Sequence, residues 1–494
     1  MKIKKILIAN RGEIAVRVIK TARSMGIKTV TVFADDDKDM PHAWMADQSF
    51  ALGSGTLKET YLNQEKLLKF ANDSGAQAIH PGYGFLSENA GFCEAVEKSG
   101  LVFIGPTAES IRLMGDKIGS KIAVEKHGVP MIPGYHGPNQ DATFLSGEAK
   151  RIGFPVLIKA SAGGGGKGMR IVEKESEFME ALNGAKSEAL KAFSNDAVLL
   201  EKYVTSPRHI EVQVMSDTHG GHFHLFEREC SIQRRYQKII EETPAPGMSP
   251  ELRQSICQTA VQISKGINYR GAGTVEFIMG ADNKFFFLEM NTRLQVEHPI
   301  TEMVTGLDLV RMQILVASGE KLPYKQEDFV QKGHAIECRI CAEDPDKGFM
   351  PTAGKIDRIG SPQAIGARLD CGYVDGGVVG VNYDPMLAKL ITFAPTREEA
   401  ITKMLQSISE VVFAGIKSNR DYLRRLLDHP EFHKGHTHTH FIPQHAESLK
   451  PKKVNDKAWA PFVAAYLLSE GGRKSTGTVD TSTTPWHQLG GFRN

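Results

Sequence analysis

The 494-residue sequence has few cysteines and almost no net charge. Its six cysteines are too few for a disulfide framework in a chain of this length. Cys338 and Cys341 form the only C-x-x-C pair, and without a second pair or an adjacent histidine we expect buried structural thiols. The formal charge of +2 provides no basic field of the kind that attracts nucleic acid, so nucleic acid is not an expected partner.

Long apolar runs are also missing from the sequence. No uninterrupted apolar stretch reaches the ~20 residues that a membrane helix needs, so no membrane partner is expected. The start, "MKIKKILIAN", is basic and then apolar, but "NRGE" interrupts it too early for a signal peptide. With 41% hydrophobic residues the chain can bury large cores, and we expect a cytoplasmic globular protein of several domains.

Alternating strand and helix patterns fill the first 115 residues. "KILIAN" is typical of a strand, "GEIAVRVIKTARSMG" of an amphipathic helix and "KTVTVFAD" of a second strand. This rhythm predicts a doubly wound α/β domain. The turn after the first strand lacks the G-x-G-x-x-G of a dinucleotide site, so a Rossmann-like layer order does not imply NAD.

Four consecutive glycines stand in the segment "KASAGGGGKGM", residues 159–169. A packed element would not use them because glycine loses the most backbone entropy on folding. The β-type flanks "FPVLIKA" and "MRIV" predict a hairpin connection within a domain. Lys167 precedes a glycine and a strand, which excludes a Walker A loop. Glycine amides between two ammonium groups suit a polyphosphate, and an ordinary surface hairpin is the equal alternative for this segment alone.

A second segment, "GTVEFIMGADNKFFFLEMNTRLQVEHP", predicts paired carboxylates. An antiparallel hairpin centred on residues 282–283 places Glu276 opposite Glu289, with Asn291 on the same face as Glu289. Opposed carboxylates repel each other, and "FFFLEM" is typical of a buried strand, where charges need partners. Hard oxygen ligands suit Mg²⁺, so we expect a metal here rather than an exposed strand face with tolerated charges.

The residues that follow predict an anion site. Arg293, Gln295 and Glu297 alternate, so an extended segment would present all three on one side. A guanidinium beside an amide can hold a small planar anion, and a nearby carboxylate can take a proton from it. The segments "PRHIEVQVM" and "SIQRRYQKIIEE" add further polar and cationic side chains, namely His209, Glu211, Gln213, Gln233, Arg234, Arg235 and Lys238.

The last third of the chain contains further strand patterns and ends in a polar segment. "HAIECRI" and "MLAKLITF" are typical of strands and "REEAITKMLQSISEV" of a helix. After Leu449 the sequence becomes polar, which predicts a flexible tail or linker. The histidines in "HTHTH", residues 436–440, could bind a metal, but without a distant fourth ligand we favour a solvated or packing role.

Together these segments resemble the biotin carboxylase of biotin-dependent carboxylases, an ATP-grasp enzyme family. The resemblance runs from "ILIANRGEIAVRV" through "HPGYGFLSEN", "GDK" and "NYDPMLAKL" to about residue 445, and "RLQVEHP" together with "NRGEIA" is very specific. It implies an α/β (α+β overall) ATP-grasp fold with a Rossmann-like N-terminal domain and a β-rich C-terminal domain. The implied parts are an N-terminal domain at 1–115, an ATP-grasp domain at 116–333 with a glycine-loop lid at about 133–204, a C-terminal domain at 334–447, and a linker or tail at 448–494.

The resemblance also implies roles for single residues. An ATP site would include Lys117, Lys159, Gly163, Gly164, Gly165, Gly166, Met169, Glu201, Lys202, Val204, His209 and Gln233. Mg²⁺ (or Mn²⁺) ligands would be Glu276, Glu289 and Asn291, and bicarbonate would bind Lys238, Arg293, Gln295 and the Val296 amide. The catalytic residues would be Glu297 as the base, Arg339 as stabiliser of the biotin enolate, and Arg293 and Lys238.

The chain differs from the family pattern at one position and lacks a biotinylation motif. The family commonly has histidine where this chain has Tyr236, which puts a polar contact near the nucleotide in doubt. No Met-Lys-Met occurs, so biotin would arrive on another chain or on a later part of a longer protein. The implied partners are a biotin carboxyl carrier domain and a carboxyltransferase subunit, within a complex that contains a homo-oligomer of this chain.

The type of carboxylase stays open. "GYHGPNQD", "NYDPMLAK" and "HTHFIPQHAESL" look most like α subunits of 3-methylcrotonyl-CoA carboxylases, and propionyl-, geranyl- or acetyl-CoA carboxylases are the alternatives. Another ATP-grasp ligase, such as a carbamoyl-phosphate or phosphoribosylglycinamide enzyme, would lack "RLQVEHP" with a later Arg339. A non-catalytic nucleotide sensor would not need both Glu297 and Arg293.

The glycine run generates a first prediction. If the loop closes over ATP, changing Gly165 and Gly166 to alanine should raise the KM for ATP. The melting temperature should change little, because a loop that closes over a ligand packs against little when open. Steady-state kinetics and thermal melting test this, and an unchanged KM or a large loss of melting temperature would favour the surface hairpin.

Overall fold

The computed structural model describes residues 2–161 and 169–451, without the side chain of Phe193. The predicted phosphate-binding glycines Gly163, Gly164, Gly165 and Gly166, and the predicted tail from residue 452 onward, lie outside the described residues. The described residues up to Leu449 form one compact unit. None of the helices in this part of the chain is long and apolar enough to cross a membrane.

A five-stranded parallel sheet with helices forms the first part of this unit. Its strand order, β3-β2-β1-β4-β5, confirms the doubly wound arrangement. Strand β1 lies at the centre because Ile6, Leu7 and Ile8 are fully buried between two helical layers. The elements are β1 (Lys5–Ile8), α1 (Gly12–Ser24), β2 (Lys28–Ala34), α2 (Pro41–Met45), β3 (Gln48–Gly53), α3 (Gln64–Ser74), β4 (Ala78–His80), α4 (Ala90–Lys98), β5 (Val102–Phe103) and α5 (Ala108–Gly115).

A small antiparallel sheet follows, with the order β6-β9-β7-β8. Val156 of β7 pairs with Val172 of β8, so the segments on either side of the glycine run are hairpin partners, as predicted. The lid predicted at 133–204 contains this sheet, and its role as a lid stays a prediction. The elements are α6 (Lys117–Glu125), β6 (Gly134–Tyr135), α7 (Ala142–Ile152), β7 (Val156–Ala160), β8 (Arg170–Val172), α8 (Phe178–Phe193) and β9 (Val198–Lys202).

An eight-stranded antiparallel sheet carries most of the polar residues that the sequence singles out. Its order is β14-β13-β10-β11-β12-β15-β22-β20, where β15 is His334–Cys341, β20 is Ala367–Cys371 and β22 is Met386–Ala394. The sheet therefore continues across the domain boundary predicted between residues 333 and 334. Glu241 of β12 pairs with Glu337 of β15 at this crossing. The elements up to the crossing are β10 (Arg208–Ser216), β11 (His222–Arg234), β12 (Gln237–Thr243), α9 (Pro250–Gly266), β13 (Gly271–Met279), β14 (Phe285–Asn291), α10 (His298–Thr305) and α11 (Leu309–Ala317).

Short strands and helices complete the C-terminal part around a buried apolar cluster. Cys338 is a free, buried residue of this cluster, and burial raises the pKa of its thiol, which agrees with the predicted structural role. Cys341 is also free but is only half-buried, so it does not meet the expectation of a buried thiol. The elements are β15 (His334–Cys341), β16 (Glu343–Asp344), β17 (Met350–Pro351), β18 (Gly354–Lys355), β19 (Arg358–Gly360), β20 (Ala367–Cys371), β21 (Val378–Val379), β22 (Met386–Ala394), α12 (Arg397–Glu410), β23 (Val412–Ala414), α13 (Arg420–Leu427), α14 (Pro430–His433) and α15 (Phe441–Gln444).

The C-terminal part contacts the first turn of α1 through Gly372, which follows β20. A Cβ atom added at Gly372 would lie 2.5 Å from the Glu13 amide nitrogen and 2.7 Å from backbone atoms of Gly12. Backbone atoms cannot move aside as a flexible side chain can. Glycine is therefore required here for close approach.

This close approach generates a second prediction. Gly372→Ala should lower the free energy of unfolding by ~1–3 kcal/mol, the usual cost of overpacking. Gly380→Ala is the matched control, since a Cβ at Gly380 meets nothing within 4 Å. Thermal melting of both variants tests this, and equal melting temperatures would contradict it.

Candidate active site

A cavity of about 630 Å³ lies between the parallel sheet, the small antiparallel sheet and the eight-stranded sheet. It brings together most of the described residues that the sequence predicts for the site. Those that line it are Lys117, Lys159, Met169, His209, Gln233, Lys238, Glu276, Glu289, Asn291, Arg293, Gln295, Val296 and Arg339. The others, Glu201, Lys202, Val204 and Glu297, lie outside its lining.

One end of the cavity is rich in lysine. Lys117 begins α6 and Lys159 lies on β7, where Glu201 of β9 forms an ion pair with it at 2.5 Å. Lys121, one helical turn after Lys117, pairs with the other oxygen of Glu201 at 2.7 Å. Burial opposes ionisation of Glu201, but Lys159 and Lys121 outweigh it and lower its pKa to about 2. Glu201 is therefore a buried carboxylate that positions two lysines at this end of the cavity.

Two residues predicted for ATP binding, Lys202 and Val204, do not line the cavity, and their role stays a prediction. The ammonium group of Lys202 donates hydrogen bonds of 2.9 Å to the carbonyl oxygens of Gly153 and Phe154. This contact occupies the side chain outside the cavity, so the side chain of Lys202 is tied to its own small sheet. Val204 is half-buried and follows β9.

Three residues form the side of the cavity next to the lysines. The amide of Gln233 donates a hydrogen bond of 2.8 Å to Nδ1 of His209. Tyr236, the residue that departs from the family pattern, also lines the cavity and is 60% exposed. Its φ of 65° lies in the left-handed region, at the tight turn between β11 and β12.

The carboxylate pair has the predicted cross-strand geometry. Glu276 of β13 faces Glu289 of β14, although the strand pairing shifts by one residue between Glu276 and Phe277. The Asn291 amide donates a hydrogen bond of 2.7 Å to Glu276, so these three side chains converge.

The charges on the two carboxylates differ. Burial opposes ionisation of Glu276, but Lys238 and His209, at 2.8 and 2.7 Å, keep its pKa below the ordinary value. Burial and the charge of Glu276 raise the pKa of Glu289. Two buried carboxylates ionise together only when further positive charge is near.

The donor set fits a divalent cation. Carboxylate oxygens are ligands that Mg²⁺ prefers, and an added cation would relieve the repulsion that raises the pKa of Glu289. The residues that would hold it are Glu276 and Glu289. Asn291 uses its amide nitrogen on Glu276, and its oxygen accepts a hydrogen bond of 3.1 Å from Arg293.

Lys238 lines the cavity and is surrounded by carboxylates. Its ammonium group contacts Glu211 at 2.5 Å, Glu276 at 2.8 Å and Glu297 at 2.8 Å. Burial opposes its charge, but these three carboxylates raise its pKa well above the ordinary value. The sequence pattern singles out Glu211 but does not reveal that it binds Lys238.

The segment from Arg293 to Glu297 differs from the extended conformation that its alternation predicts. It bends and turns, and Glu297 directly precedes α10 with φ −82° and ψ 10°. Arg293 still lies beside Gln295, to which it donates a hydrogen bond of 3.0 Å, and Glu88 holds Arg293 at 2.8 Å. A turn instead of a strand therefore places the guanidinium beside the amide, and their role in anion binding stays a prediction.

That turn directs Glu297 beneath the cavity, into a wholly buried position. Its two oxygens contact Lys238 and Arg339, each at 2.8 Å. Burial alone would raise its pKa, but Lys238, Arg339 and Arg228 hold the pKa well below the ordinary value. Glu297 is thus a carboxylate at neutral pH, placed between the two cations that the sequence assigns to different steps.

Arg339 of β15 has a second acidic partner. Its guanidinium donates a hydrogen bond of 2.6 Å to Glu241 of β12, the adjacent strand. Burial and the charge of Glu297 keep the pKa of Glu241 raised despite Arg339, at about 7. Glu241 fixes the plane of the guanidinium so that it faces both Glu297 and the cavity.

One wall of the cavity comes from residues that sequence reasoning missed. This wall is built by the first turn of α1, the "GYGF" loop after β4 and the "YDPM" segment before β22. Both loops belong to segments that carry the family resemblance, which was the available signal. The lining residues include Asn10, Arg11, Glu13, Tyr83, Phe85 and Tyr383.

The three histidines of the segment at residues 436–440 have separate partners. His436 pairs with Glu431 at 2.8 Å, and His438 accepts a hydrogen bond from the His440 amide. The His440 ring lies 3.0 Å from the Tyr203 hydroxyl. This geometry agrees with the packing role that the sequence favours.

The carboxylate pair generates a third prediction. Changing Glu276 or Glu289 to glutamine should sharply reduce Mg²⁺-dependent ATP hydrolysis, because each change removes a charged metal ligand, while the fold should persist. Asp282→Asn is the matched control, since Asp282 lies exposed in the turn of the same hairpin. Titration of activity against Mg²⁺ tests this, and an unchanged Mg²⁺ dependence in both variants would contradict it.

Comparison with known proteins identifies the family. Three family models match consecutive parts of the chain: the biotin carboxylase N-terminal domain at residues 2–111, the carbamoyl-phosphate synthase L chain ATP-binding domain at 116–325, and the biotin carboxylase C-terminal domain at 337–444. The chain is 49% identical to the biotin carboxylase of Haemophilus influenzae, over 89% of this chain and 98% of that protein.

A longer relative is the mitochondrial methylcrotonoyl-CoA carboxylase subunit alpha of Mus musculus. Its identity is 52% over 91% of this chain, and the chain spans 63% of the length of that relative.

Solved structures agree with these matches. The biotin carboxylase domain dimer of Hydrogenobacter thermophilus 2-oxoglutarate carboxylase, in complex with MgADP, ADP and bicarbonate, superposes with a TM-score of 0.88 at 43% identity. The match covers 92% of this chain and all of that chain. A biotin carboxylase from Campylobacter jejuni gives 0.87 at 43% identity, over 90% and 99% of the two chains. These matches confirm the predicted fold class, and the chain belongs to the biotin carboxylase family of ATP-dependent ligases.

Proposed function

We propose that this chain carboxylates biotin on a carrier domain, using ATP, Mg²⁺ and bicarbonate through carboxyphosphate. The observation that carries the proposal is the contact of one buried carboxylate, Glu297, with both Lys238 and Arg339 at 2.8 Å. A single base would thus sit between the cation of the bicarbonate site and the cation of the biotin site. Family membership and the complexes of related chains with MgADP and bicarbonate support it.

Lys238, Arg293 and Gln295 would hold bicarbonate. Arg293 and Gln295 lie side by side at the cavity wall, and Lys238 adds an ammonium group next to Glu297. The low pKa of Glu297 makes it a carboxylate ready to accept a proton, but also a weak base. When the ammonium group of Lys238 contacts bicarbonate, it stabilises the negative charge of Glu297 less. Glu297 then becomes a stronger base.

The deprotonated bicarbonate would then attack the γ-phosphate of ATP to form carboxyphosphate, with ADP as the leaving group. Lys117, at the start of α6, and Lys159, which is paired with Glu201, would neutralise charge that develops on the phosphates. Mg²⁺ on Glu276 and Glu289 would supply further neutralisation when bound. Carboxyphosphate hydrolyses in water, so a lid formed by residues 133–204 would protect it.

Arg339 would act in the second half of the reaction. Carboxyphosphate would release CO₂ and phosphate, and the phosphate would take the proton of the biotin ureido nitrogen. Arg339 lines the cavity and would stabilise the resulting oxyanion, with Glu241 fixing its orientation. The nitrogen would then attack CO₂ to form carboxybiotin.

The complete complex belongs to the same proposal. We favour a 3-methylcrotonyl-CoA carboxylase, since the mouse relative is a methylcrotonoyl-CoA carboxylase subunit alpha. The proposed partners are a biotin carboxyl carrier domain and a carboxyltransferase subunit. A homo-oligomer is also proposed, and the related biotin carboxylase domain that was solved as a dimer supports it. The proposed compartment is the cytoplasm, although the relatives include both mitochondrial and bacterial proteins.

A fourth prediction separates the two half-steps. Glu297→Gln removes the base, so bicarbonate-dependent ATP cleavage should fall by ~10²–10⁴-fold with or without biotin. Arg339→Ser removes a cation next to Glu297, which should raise the pKa of that carboxyl and leave much of the biotin-independent ATP cleavage. Carboxybiotin formation should be lost, because the biotin oxyanion has no partner. The measurement is the ratio of carboxybiotin formed to ATP hydrolysed.

Arg358→Ser is the control, since Arg358 is an exposed arginine on β19 of the same part of the chain. It should keep the ratio of the unmodified chain. A ratio that is also unchanged in Arg339→Ser would exclude Arg339 from the biotin half-step. Equal losses of stability and of both activities would make Arg339 a structural ion-pair residue.

A further inference from the structure

Lys389, on β22, is a fully buried lysine that the reaction above does not use. It is the direct cross-strand neighbour of Arg339 on β15. Its ammonium group donates a hydrogen bond of 2.8 Å to the carbonyl oxygen of Val296 and lies 3.1 Å from Glu13 of α1. One side chain thus joins three segments that are distant in sequence, and it does so directly behind the wall of the cavity.

The carbonyl that Lys389 binds belongs to the peptide bond between Val296 and Glu297. This peptide lies in the turn that replaces the expected strand, so no sheet hydrogen bonds hold it in place. This peptide connects two groups of the proposed bicarbonate site. They are the backbone of Val296, at the cavity wall, and the carboxylate of Glu297, which is buried beneath it. A hydrogen bond from a charged donor is stronger than one between neutral groups and restricts the geometry of its acceptor.

The cross-strand neighbours Arg339 and Lys389 contact different parts of this turn. Arg339 contacts the side chain of Glu297, and Lys389 contacts its backbone neighbour Val296. We infer that Lys389 is a positioning residue that fixes the Val296–Glu297 peptide and thereby shapes the bicarbonate site. The inference rests on the proposed biotin carboxylase function and deepens it.

The alternative is that Lys389 only stabilises the fold, by compensating buried acidic groups. Glu13 accepts a hydrogen bond from Tyr83, but its Oε2 atom is buried without a hydrogen-bond partner among the described residues. Asp370 of β20 is the other cross-strand neighbour of Lys389. In that case Lys389 would serve to compensate these buried acidic groups, and its loss would be felt through stability alone.

The fifth prediction uses two variants to separate these roles. Lys389→Met removes the hydrogen bond to Val296 and leaves Glu13 uncompensated, so both the melting temperature and the affinity for bicarbonate should fall. Adding Glu13→Gln removes the uncompensated charge, so the double variant should regain melting temperature. Its KM for bicarbonate should stay raised by about tenfold, which corresponds to about 1.4 kcal/mol, with the KM for ATP unchanged.

The control is Lys403→Met, since Lys403 also donates a hydrogen bond to a backbone carbonyl, that of Phe393 at 2.6 Å. It should leave the KM for bicarbonate unchanged. Recovery of both the melting temperature and the bicarbonate KM in the double variant would overturn the positioning role. If Lys389→Met does not fold, the double variant alone decides between these outcomes. Absence of bicarbonate-dependent ATP hydrolysis in the unmodified chain would overturn the proposed function, and the inference with it.

Discussion

The ammonium group of Lys238 is shared by three buried carboxylates, Glu211, Glu276 and Glu297. Lys238 belongs to β12, Glu211 to β10 and Glu276 to β13, so this contact depends on the register of four neighbouring strands of the eight-stranded sheet. Removing one member of such a cluster leaves an uncompensated buried charge at a cost of several kcal/mol. The strand register therefore brings these charged groups together, and their mutual compensation stabilises that register.

The same charge compensation prepares the cavity for anionic substrates. In the structure Lys238, Arg293 and Arg339 are each held by protein carboxylates, so their positions are set before a ligand arrives. An anion entering the cavity competes with these carboxylates for the cations. In the proposed reaction this competition would connect binding to chemistry, because Glu297 would gain proton affinity as its cations contact the anion.

The carboxylate pair could be predicted from the local sequence pattern, but the turn that follows it could not. Pairing of Glu276 with Glu289 follows from the alternation of side chains about a tight turn, and a one-residue shift in the strand pairing keeps these two residues opposite each other. The same alternation predicts an extended Arg293–Glu297 segment, which is wrong. Those residues leave the sheet and turn into α10, and Glu297 contacts Lys238 and Arg339 from this turn.

The sequence by itself determined the fold class, the doubly wound first sheet and many of the charged and polar residues that line the cavity, because strand and helix periodicity and specific motifs are local properties. Only the tertiary structure decided which charges meet. Glu88 with Arg293, Glu241 with Arg339 and Lys389 with Val296 are contacts between distant segments. The physical reason is that a buried charge is satisfied by whatever partner the packing of sheets brings within hydrogen-bond distance, and no local pattern records that partner.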